Sequence, residues 1–429
     1  MADQEPGFET LAVHAGGAPD PATGARQTPV YQTTSFVFDD ADHAASLFNL
    51  QVPGFIYSRL TNPTVSVLEE RCAALEGGVG STATASGHAA QILALFPLMS
   101  PGDEIVAANK LYGGSINQMG HSYKKFGWAA KFVETEDTEN FRRAITDRTR
   151  AIFIESLANP GGVVMDIAAI ADIAHDAGIP LIVDNTMATP YLCRPFDHGA
   201  DIVVHSTTKF LSGNGTAVGG VVIDSGKFNW MQNDKFPSLS KPSPEYHDLT
   251  FAETFGELSY TIYGHAVGLR DLGASQAPMN AFLTLLGIET LPLRMDRHCA
   301  NALTVAQHLS LHDAVDWVSY AGLETDAYHG LAQRYLPRGA GAVMTVGLKG
   351  GYDAGVKMVE TVELFSHLAN IGDARSLIIH PASTTHRQLT AEQLTAAGAG
   401  AEVIRLSIGI ESVADIIADL DQALAKSGS

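Results

Sequence analysis

The sequence predicts an α/β fold: a large domain built on a mostly parallel sheet, preceded by an arm and followed by a smaller α+β domain. Three observations carry this. Between about residues 63 and 270, short Val- and Ile-rich runs alternate with helical patterns, the mark of βαβ units whose sheet is covered on both faces. From 271 to 429, long amphipathic helices come first and strand-like runs follow, the texture of an α+β unit. Residues 1–62 lack sustained periodicity and carry turn signals such as "GGAPDPATG", so they read as an arm packed on something else, for instance a neighbouring subunit.

Taken in chain order, "VSVLEERCAALEGG" has apolar residues at helical spacing and ends in Gly77 and Gly78, a helix with a C-terminal stop. In "ATASGHAAQILAL", Ser86 and Gly87 precede an apolar helical run, so the free N–H groups there could hold a phosphate, although an ordinary helix start reads the same way. The runs "DEIVAA", "AKFVE", "AIFIES", "IPLIVD", "DIVVHS" and "GGVVID" are strands, with the helix "DIAAIADIAHDAG" between the third and fourth. In the last third, "PLRMDRHCANALTVAQHLS" is a helix, "AGAVMTVGL" and "EVIRLSIGI" are strands, and "SVADIIADLDQALA" is a closing helix.

Composition narrows the function. A chain of 429 residues supports two or three domains with large cores, and 45% hydrophobic with 17% charged residues fits an enzyme with much surface buried. The formal net charge is −20, with no basic block, so nucleic acid and anionic membranes are excluded as partners. Three widely spaced cysteines (Cys72, Cys193 and Cys299) read as reduced thiols, without a disulfide framework or metal knuckle. The acidic start "MADQEPGFET" is unlike a signal peptide, and the longest near-apolar run, "AAQILALFPLM", is too short to span a bilayer. A cytoplasmic location is expected. The histidines show no metal-ligand spacing.

The chemistry concentrates in "HSTTKFLSGNGTAVGG", where Lys209 stands among hydroxyl and glycine residues straight after the apolar run "DIVV". Ligands of a parallel α/β sheet bind beyond the carboxyl ends of its strands. Asp184 ends one such strand, and Ser206 to Lys209 follow the next. Each alone has a plainer reading: a loop lysine, and a turn or helix-capping carboxylate. Together, a partly desolvated amine, an acid on a neighbouring strand and a hydroxyl-lined anion site suit pyridoxal phosphate, which needs all three. Competing motifs fail on spacing. Val218 stands where a dinucleotide fingerprint starting at Gly213 wants glycine, and the P-loop-like stretch from Gly220 is one residue too long and ends in Phe228. No G-x-S-x-G elbow or H-E-x-x-H motif occurs.

With those residues in place, the chain resembles the Cys/Met-metabolism family of pyridoxal-phosphate enzymes, of fold type I. The resemblance is carried by "FETLAVHAG", "PVYQTTSFVFDDADHAASLF", "YSRLTNPT", "VDNTMATPYLCRPFDHGADIVVHSTTKF", "GTAVGGVVIDSGKFNW", "GDARSLIIHPASTTHRQL" and "VIRLSIGIES", nearly the whole length. It implies a seven-stranded type of sheet in a pyridoxal-phosphate-binding domain over 63–270. It also implies an N-terminal arm that serves the neighbouring subunit's site, and a homotetramer made as a dimer of dimers. Lys209 would carry the cofactor as a Schiff base and shuttle protons at the substrate's α and γ carbons. Asp184 would face the pyridine nitrogen, and Thr186 would lie beside the ring. Ser206, Thr208 and the backbone N–H groups of Gly87 and His88 would hold the phosphate. Tyr112 would stack on the ring and act as a second catalytic residue, in transaldimination. Tyr57 and Arg59 would reach the neighbour's phosphate, with Tyr57 also bordering the substrate. Arg405 would grip the substrate α-carboxylate, and Ser383 and Asn159 would complete that carboxylate site and the cofactor's ring-oxygen site.

His88 and Asn214 depart from the residues expected at their positions, Gln or Met and His respectively. The first is expected to act only through its backbone, while the second bears on substrate preference. The resemblance is closest to the branch acting on O-acetyl-L-homoserine. It implies γ-replacement by sulfide to homocysteine, or by methanethiol to methionine, with acetate released. Cystathionine γ-synthase and methionine γ-lyase activities are the alternatives on the same scaffold, and a non-catalytic cofactor-binding scaffold is the alternative outside enzymes.

Overall fold

The computed structural model describes residues 6–159, 162–384, 387 and 398–427. Its first sheet has seven strands in the spatial order β1-β7-β6-β5-β4-β2-β3. These are β1 (Gly80–Thr84), β2 (Glu104–Ala108), β3 (Ala129–Val133), β4 (Thr149–Glu155), β5 (Leu181–Asp184), β6 (Ile202–His205) and β7 (Gly220–Asp224). The five from β2 to β6 run parallel, while β7 pairs antiparallel with both β6 and β1. The mixed α/β class with a large sheet and a second, smaller one agrees with the sequence reading. Every residue of β2 and β7 is buried, as expected for strands covered on both faces.

Two expectations need correction. β1 was not expected, because "GSTAT" contains no Val or Ile. Its small and hydroxyl side chains are ordered by tertiary contacts instead, Ser81 Oγ donating to Glu69 O at 2.7 Å and Glu69 Oε1 accepting from Ala83 N at 2.7 Å. The arm, read as without periodicity, contains two short helices among its described residues, Phe8–His14 and Ala41–Phe48, the second capped by Asp40. Each is too short to show a clear pattern in sequence.

The helices that frame the sheet start and stop on local signals. Pro63–Glu76 begins with Asn62 accepting from Thr64 N and Pro63 in its first turn. It stops at Gly77, whose φ of 78° is a left-handed conformation that favours glycine. Gly87–Leu95 begins at Ser86, whose hydroxyl accepts from Ala89 N at 3.2 Å.

The second sheet has the order β10-β11-β12-β9-β8 and is antiparallel except for the β10–β11 pair. Its strands are β8 (Val315–Ser319), β9 (Val343–Leu348), β10 (Ser366–His367), β11 (Leu377–Ile379) and β12 (Val403–Ser407). The helix Leu291–Ser310 packs against β8, β9 and the closing helix Val413–Ser427 on one side, and against Thr189–Leu192 of the first unit on the other. His298 Nδ1 meets Ile408 O at 2.7 Å, and Asn301 Nδ2 donates to Gly409 O at 3.0 Å. The chain just beyond β12 is thereby tied to this helix. Among the described residues no helix is long and apolar enough to cross a membrane. Residues 385–386 and 388–389, the end of the "GDARSLIIHPASTTHRQL" stretch, lie outside the described residues.

Candidate active site

A cavity of about 240 Å³ opens at the carboxyl ends of the parallel strands, between the first sheet and β12. Three successive strands deliver polar residues to it: β4 ends in Glu155, β5 in Asp184, and β6 runs into Ser206, Thr208 and Lys209. The strand ends point to one place because β4, β5 and β6 are parallel and in register, Glu155 opposite Asp184 and Asp184 opposite Val204.

At one end of the cavity lies an anion cradle. Gly87 and His88 open their helix, so their N–H groups have no acceptor within it. A Cβ on Gly87 would come 2.7 Å from Ser206 Cβ, so glycine is what lets the helix start sit against the Ser206 segment. Ser206 N donates to Thr186 Oγ1 at 2.8 Å, while Thr208 Oγ1 exchanges bonds with Gly219, donating to its O at 3.2 Å and accepting from its N at 3.0 Å. The helix dipole adds to the preference for negative charge.

Asp184 stands across the cavity floor. It accepts from Thr186 N at 3.0 Å and from Gln91 Nε2 at 3.3 Å. Gln91 also donates to Ser115 Oγ at 2.9 Å, and its own Oε1 is buried without a partner. Tyr112 is about half exposed toward the opening, its ring edge-on to His88 with centroids 6.0 Å apart.

Lys209 donates its Nζ proton to Asn370 Oδ1. Burial, reinforced by the Arg405 charge, lowers its amine to about 8. Arg405 projects from the middle of β12, donating to Asn159 Oδ1 at 3.3 Å and Asn370 O at 3.2 Å. Both acceptors are neutral, so its charge is free to receive an acid. Burial lowers its proton affinity, but a guanidinium stays charged at neutral pH. The loop carrying Asn370 can reach Lys209 because Gly372, at φ 71°, lies directly on the backbone beneath it, where a Cβ would come 2.7 Å from Phe210 N.

The cavity therefore brings together Lys209, Asp184, Thr186, Ser206, Thr208, Gly87, His88, Tyr112, Asn159 and Arg405. Three expected residues lie elsewhere. Tyr57 and Arg59 are off this cavity, stacked on each other at 5.6 Å, with Arg59 donating to Arg270 O. Ser383 does not line the cavity, and its hydroxyl meets His380 Nδ1 at 3.0 Å. It sits in the short 3-10 turn Pro381–Ser383, while Arg405 Nη2 donates to Asn370 O.

Sequence reasoning missed Glu155, Gln91 and Asn370. Glu155 could have been found by the rule that picked out Asp184, an acid ending an apolar strand. Gln91 is the one amide in "GHAAQILAL", one turn after the helix start. Asn370 sits in a loop and carries no local signal.

These groups fit pyridoxal phosphate. The glycine-opened helix start and hydroxyls match its phosphate, Asp184 its pyridine nitrogen and Lys209 its aldehyde. The sequence profile of the "Cys/Met metabolism PLP-dependent enzyme" family matches residues 9–425. The chain is 51% identical to an O-acetyl-L-homoserine sulfhydrylase of Leptospira meyeri, covering 97% of this chain and 96% of that one. It is 50% identical to a homocysteine synthase of Schizosaccharomyces pombe, covering 97% and 98%. A crystal structure from Campylobacter jejuni, described as a candidate O-acetylhomoserine (thiol)-lyase and carrying a pyridoxyl-lysine monophosphate residue, superposes with a TM-score of 0.94. It is 42% identical, with 97% of this chain and 99% of that chain covered.

Proposed function

Because the chain belongs to the Cys/Met-metabolism family of pyridoxal-phosphate-dependent enzymes, we propose that it transfers the aminocarboxypropyl group of O-acetyl-L-homoserine to sulfide. The Cγ–O bond to acetate breaks, a Cγ–S bond forms, and the products are L-homocysteine and acetate. A small thiol such as methanethiol would give methionine in the same way. The observation that carries this reading is the pairing of a half-buried amine, Lys209, with an arginine that has only neutral partners, Arg405, in one cavity. That is a proton-transfer group beside a carboxylate receptor. The choice of O-acetylhomoserine follows the sulfhydrylase relatives.

Bound pyridoxal phosphate supplies an electron sink for the charge left when a proton leaves an amino acid's α-carbon. Asp184 would stand against its ring nitrogen, with Gln91 holding the carboxylate's orientation. Ser206, Thr208 and the N–H groups of Gly87 and His88 would hold its phosphate, and Tyr112 would cover the ring. Lys209 would hold the cofactor covalently and, once freed, take the proton from the substrate Cα. Its lowered proton affinity leaves about one amine in ten unprotonated at pH 7, against about one in several thousand for an ordinary lysine. Arg405 would grip the α-carboxylate through both arms of its fork, and Asn159 and Asn370 would set its plane.

The same reading extends to assembly. Tyr57 and Arg59 would complete a neighbouring subunit's phosphate site in a dimer, two dimers forming a tetramer. Their position away from the cavity of their own chain supports this. A cytoplasmic location is supported by the three buried free thiols.

The deciding experiment is mass spectrometry of the products. Purified protein with pyridoxal phosphate receives O-acetyl-L-homoserine and, separately, sulfide, methanethiol or cysteine. Homocysteine as the dominant product with sulfide is expected. Cystathionine as the preferred product, or 2-oxobutyrate whichever thiol is supplied, would overturn the assignment.

A further inference from the structure

Glu155 is 3% exposed and lines the cavity at the end of β4. Its two oxygens serve two different loops: Oε1 accepts from Tyr112 N at 2.6 Å, and Oε2 accepts from Asn159 N at 3.1 Å. Its Cα faces that of Asp184 across the β4–β5 pair. Burial, and then the Asp184 charge, push its carboxyl well above the usual range. An acid in that position is costly, and a glutamine of the same volume would avoid the cost. A glutamine, however, offers one oxygen and one NH2, and the NH2 cannot accept from an N–H. A carboxylate offers a separate oxygen to each of the two backbone donors.

We propose that Glu155 is a positioning residue that fixes Tyr112 and Asn159 together, and through Asn159 sets the partner of Arg405 that receives the substrate carboxylate. The chain of contact runs from Glu155 to Asn159 N, and from Asn159 Oδ1 to Arg405 Nη1 at 3.3 Å. The phosphate cradle is on separate segments, and no hydrogen bond joins Ser206, Thr208 or Gly87 to Glu155 among the described residues. Glu155 therefore bears on amino-acid binding through Asn159, and reaches the cofactor site only through the backbone of Tyr112, away from the phosphate cradle. This inference rests on the reading of the cavity as a pyridoxal-phosphate site.

The test is Glu155→Gln in the full-length protein, alone and combined with Asn159→Ala. Three quantities are read: the melting temperature and pyridoxal-phosphate affinity of the cofactor-free protein, the affinity of the loaded protein for L-homoserine from the change in cofactor absorbance, and KM for O-acetyl-L-homoserine. The expected result is a cofactor affinity within about threefold of wild type, with L-homoserine affinity and KM weakened about tenfold. In the Asn159→Ala background the same substitution should change them less than twofold, since its effect passes through Asn159.

Unchanged amino-acid affinity would overturn the proposal. So would a joint loss of melting temperature and cofactor affinity with equal effects in both backgrounds, which would make Glu155 part of the framework only. If Glu155→Gln yields no folded protein, Glu155→Asp keeps the charge but shortens the reach. The expected result is then an intermediate loss of amino-acid affinity, and wild-type affinity would refute the idea. L-homoserine lacks the acetate leaving group, so that measurement stands even if the sulfhydrylase assignment fails.

Discussion

Replacing Lys209 by Met should raise the stability of the cofactor-free protein at neutral pH and lower it at alkaline pH. The folded protein holds this amine at about 8, against 10.5 for an ordinary lysine, chiefly because the ammonium is desolvated and secondarily because Arg405 repels it. At 1.36 kcal/mol per pH unit, the displacement corresponds to about 3 kcal/mol of destabilisation. Below pH 8 both folded and unfolded chains bind the proton, and the folded state bears the full cost. Between pH 8 and about 10.5 the unfolded chain still binds a proton that the folded chain has lost, so this group's contribution to stability rises with pH. Above that range the cost is gone.

Methionine keeps the apolar stem and removes the charge, at the loss of the hydrogen bond to Asn370, about 1 kcal/mol. The net gain at pH 7 is about 2 kcal/mol. With roughly 2.1 cal/mol/K of unfolding entropy per residue over 429 residues, that amounts to a rise of about 2 °C. Toward and above pH 10.5 the lost bond outweighs what remains of the cost, and the variant should melt slightly lower than wild type, approaching about 1 °C. Differential scanning calorimetry of the two cofactor-free proteins from pH 6.5 to 10.5 measures this directly, because every other titration is shared. A variant that melts lower than wild type at pH 7, or a difference that does not shrink as pH rises through 8, would show that Lys209 is not held as a desolvated amine.

Two further substitutions probe the cradle and the carboxylate receptor. Gly87→Ala places a methyl 2.7 Å from Ser206 Cβ and should push the helix start off the Ser206 segment. The expected cost is about 1–3 kcal/mol of stability, together with a pyridoxal-phosphate affinity weakened at least tenfold in a fluorescence titration. Wild-type affinity would mean that the helix start is not the phosphate site. Arg405→Lys keeps the charge but loses the fork that spans Asn159 and Asn370. KM for O-acetyl-L-homoserine should rise about tenfold or more with a smaller change in kcat; a fall in kcat at constant KM would place the carboxylate elsewhere.

Much of the fold could be read locally. The Val- and Ile-rich runs from "DEIVAA" to "GGVVID" became β2 to β7, since a strand buried on both faces writes its burial into four to seven consecutive residues. The start at Ser86 and the stop at Gly77 rest on capping chemistry that spans three or four residues. β1 escaped because its residues have no strand preference of their own, and it exists through pairing with β7. In the site, Asp184 and Lys209 were legible because each follows a strand, and a strand's carboxyl end marks the crevice of a parallel sheet. Ser383 carries no comparable signal: a serine in an irregular segment says nothing about which cavity it faces.

The sequence by itself therefore determined the Val- and Ile-rich strands of the first sheet, the capped helix ends and two of the polar strand ends in the cavity, because those depend on interactions within one turn or one strand. Tertiary structure alone decided which side chains meet. Lys209 and Asn370 are 161 residues apart, and Arg405 and Asn159 are 246 apart. Their contacts depend on how the helix Leu291–Ser310 docks the second sheet on the first and on the close approach allowed at Gly372. Such approaches are set by the packing of whole elements, and no pattern of neighbouring residues records them.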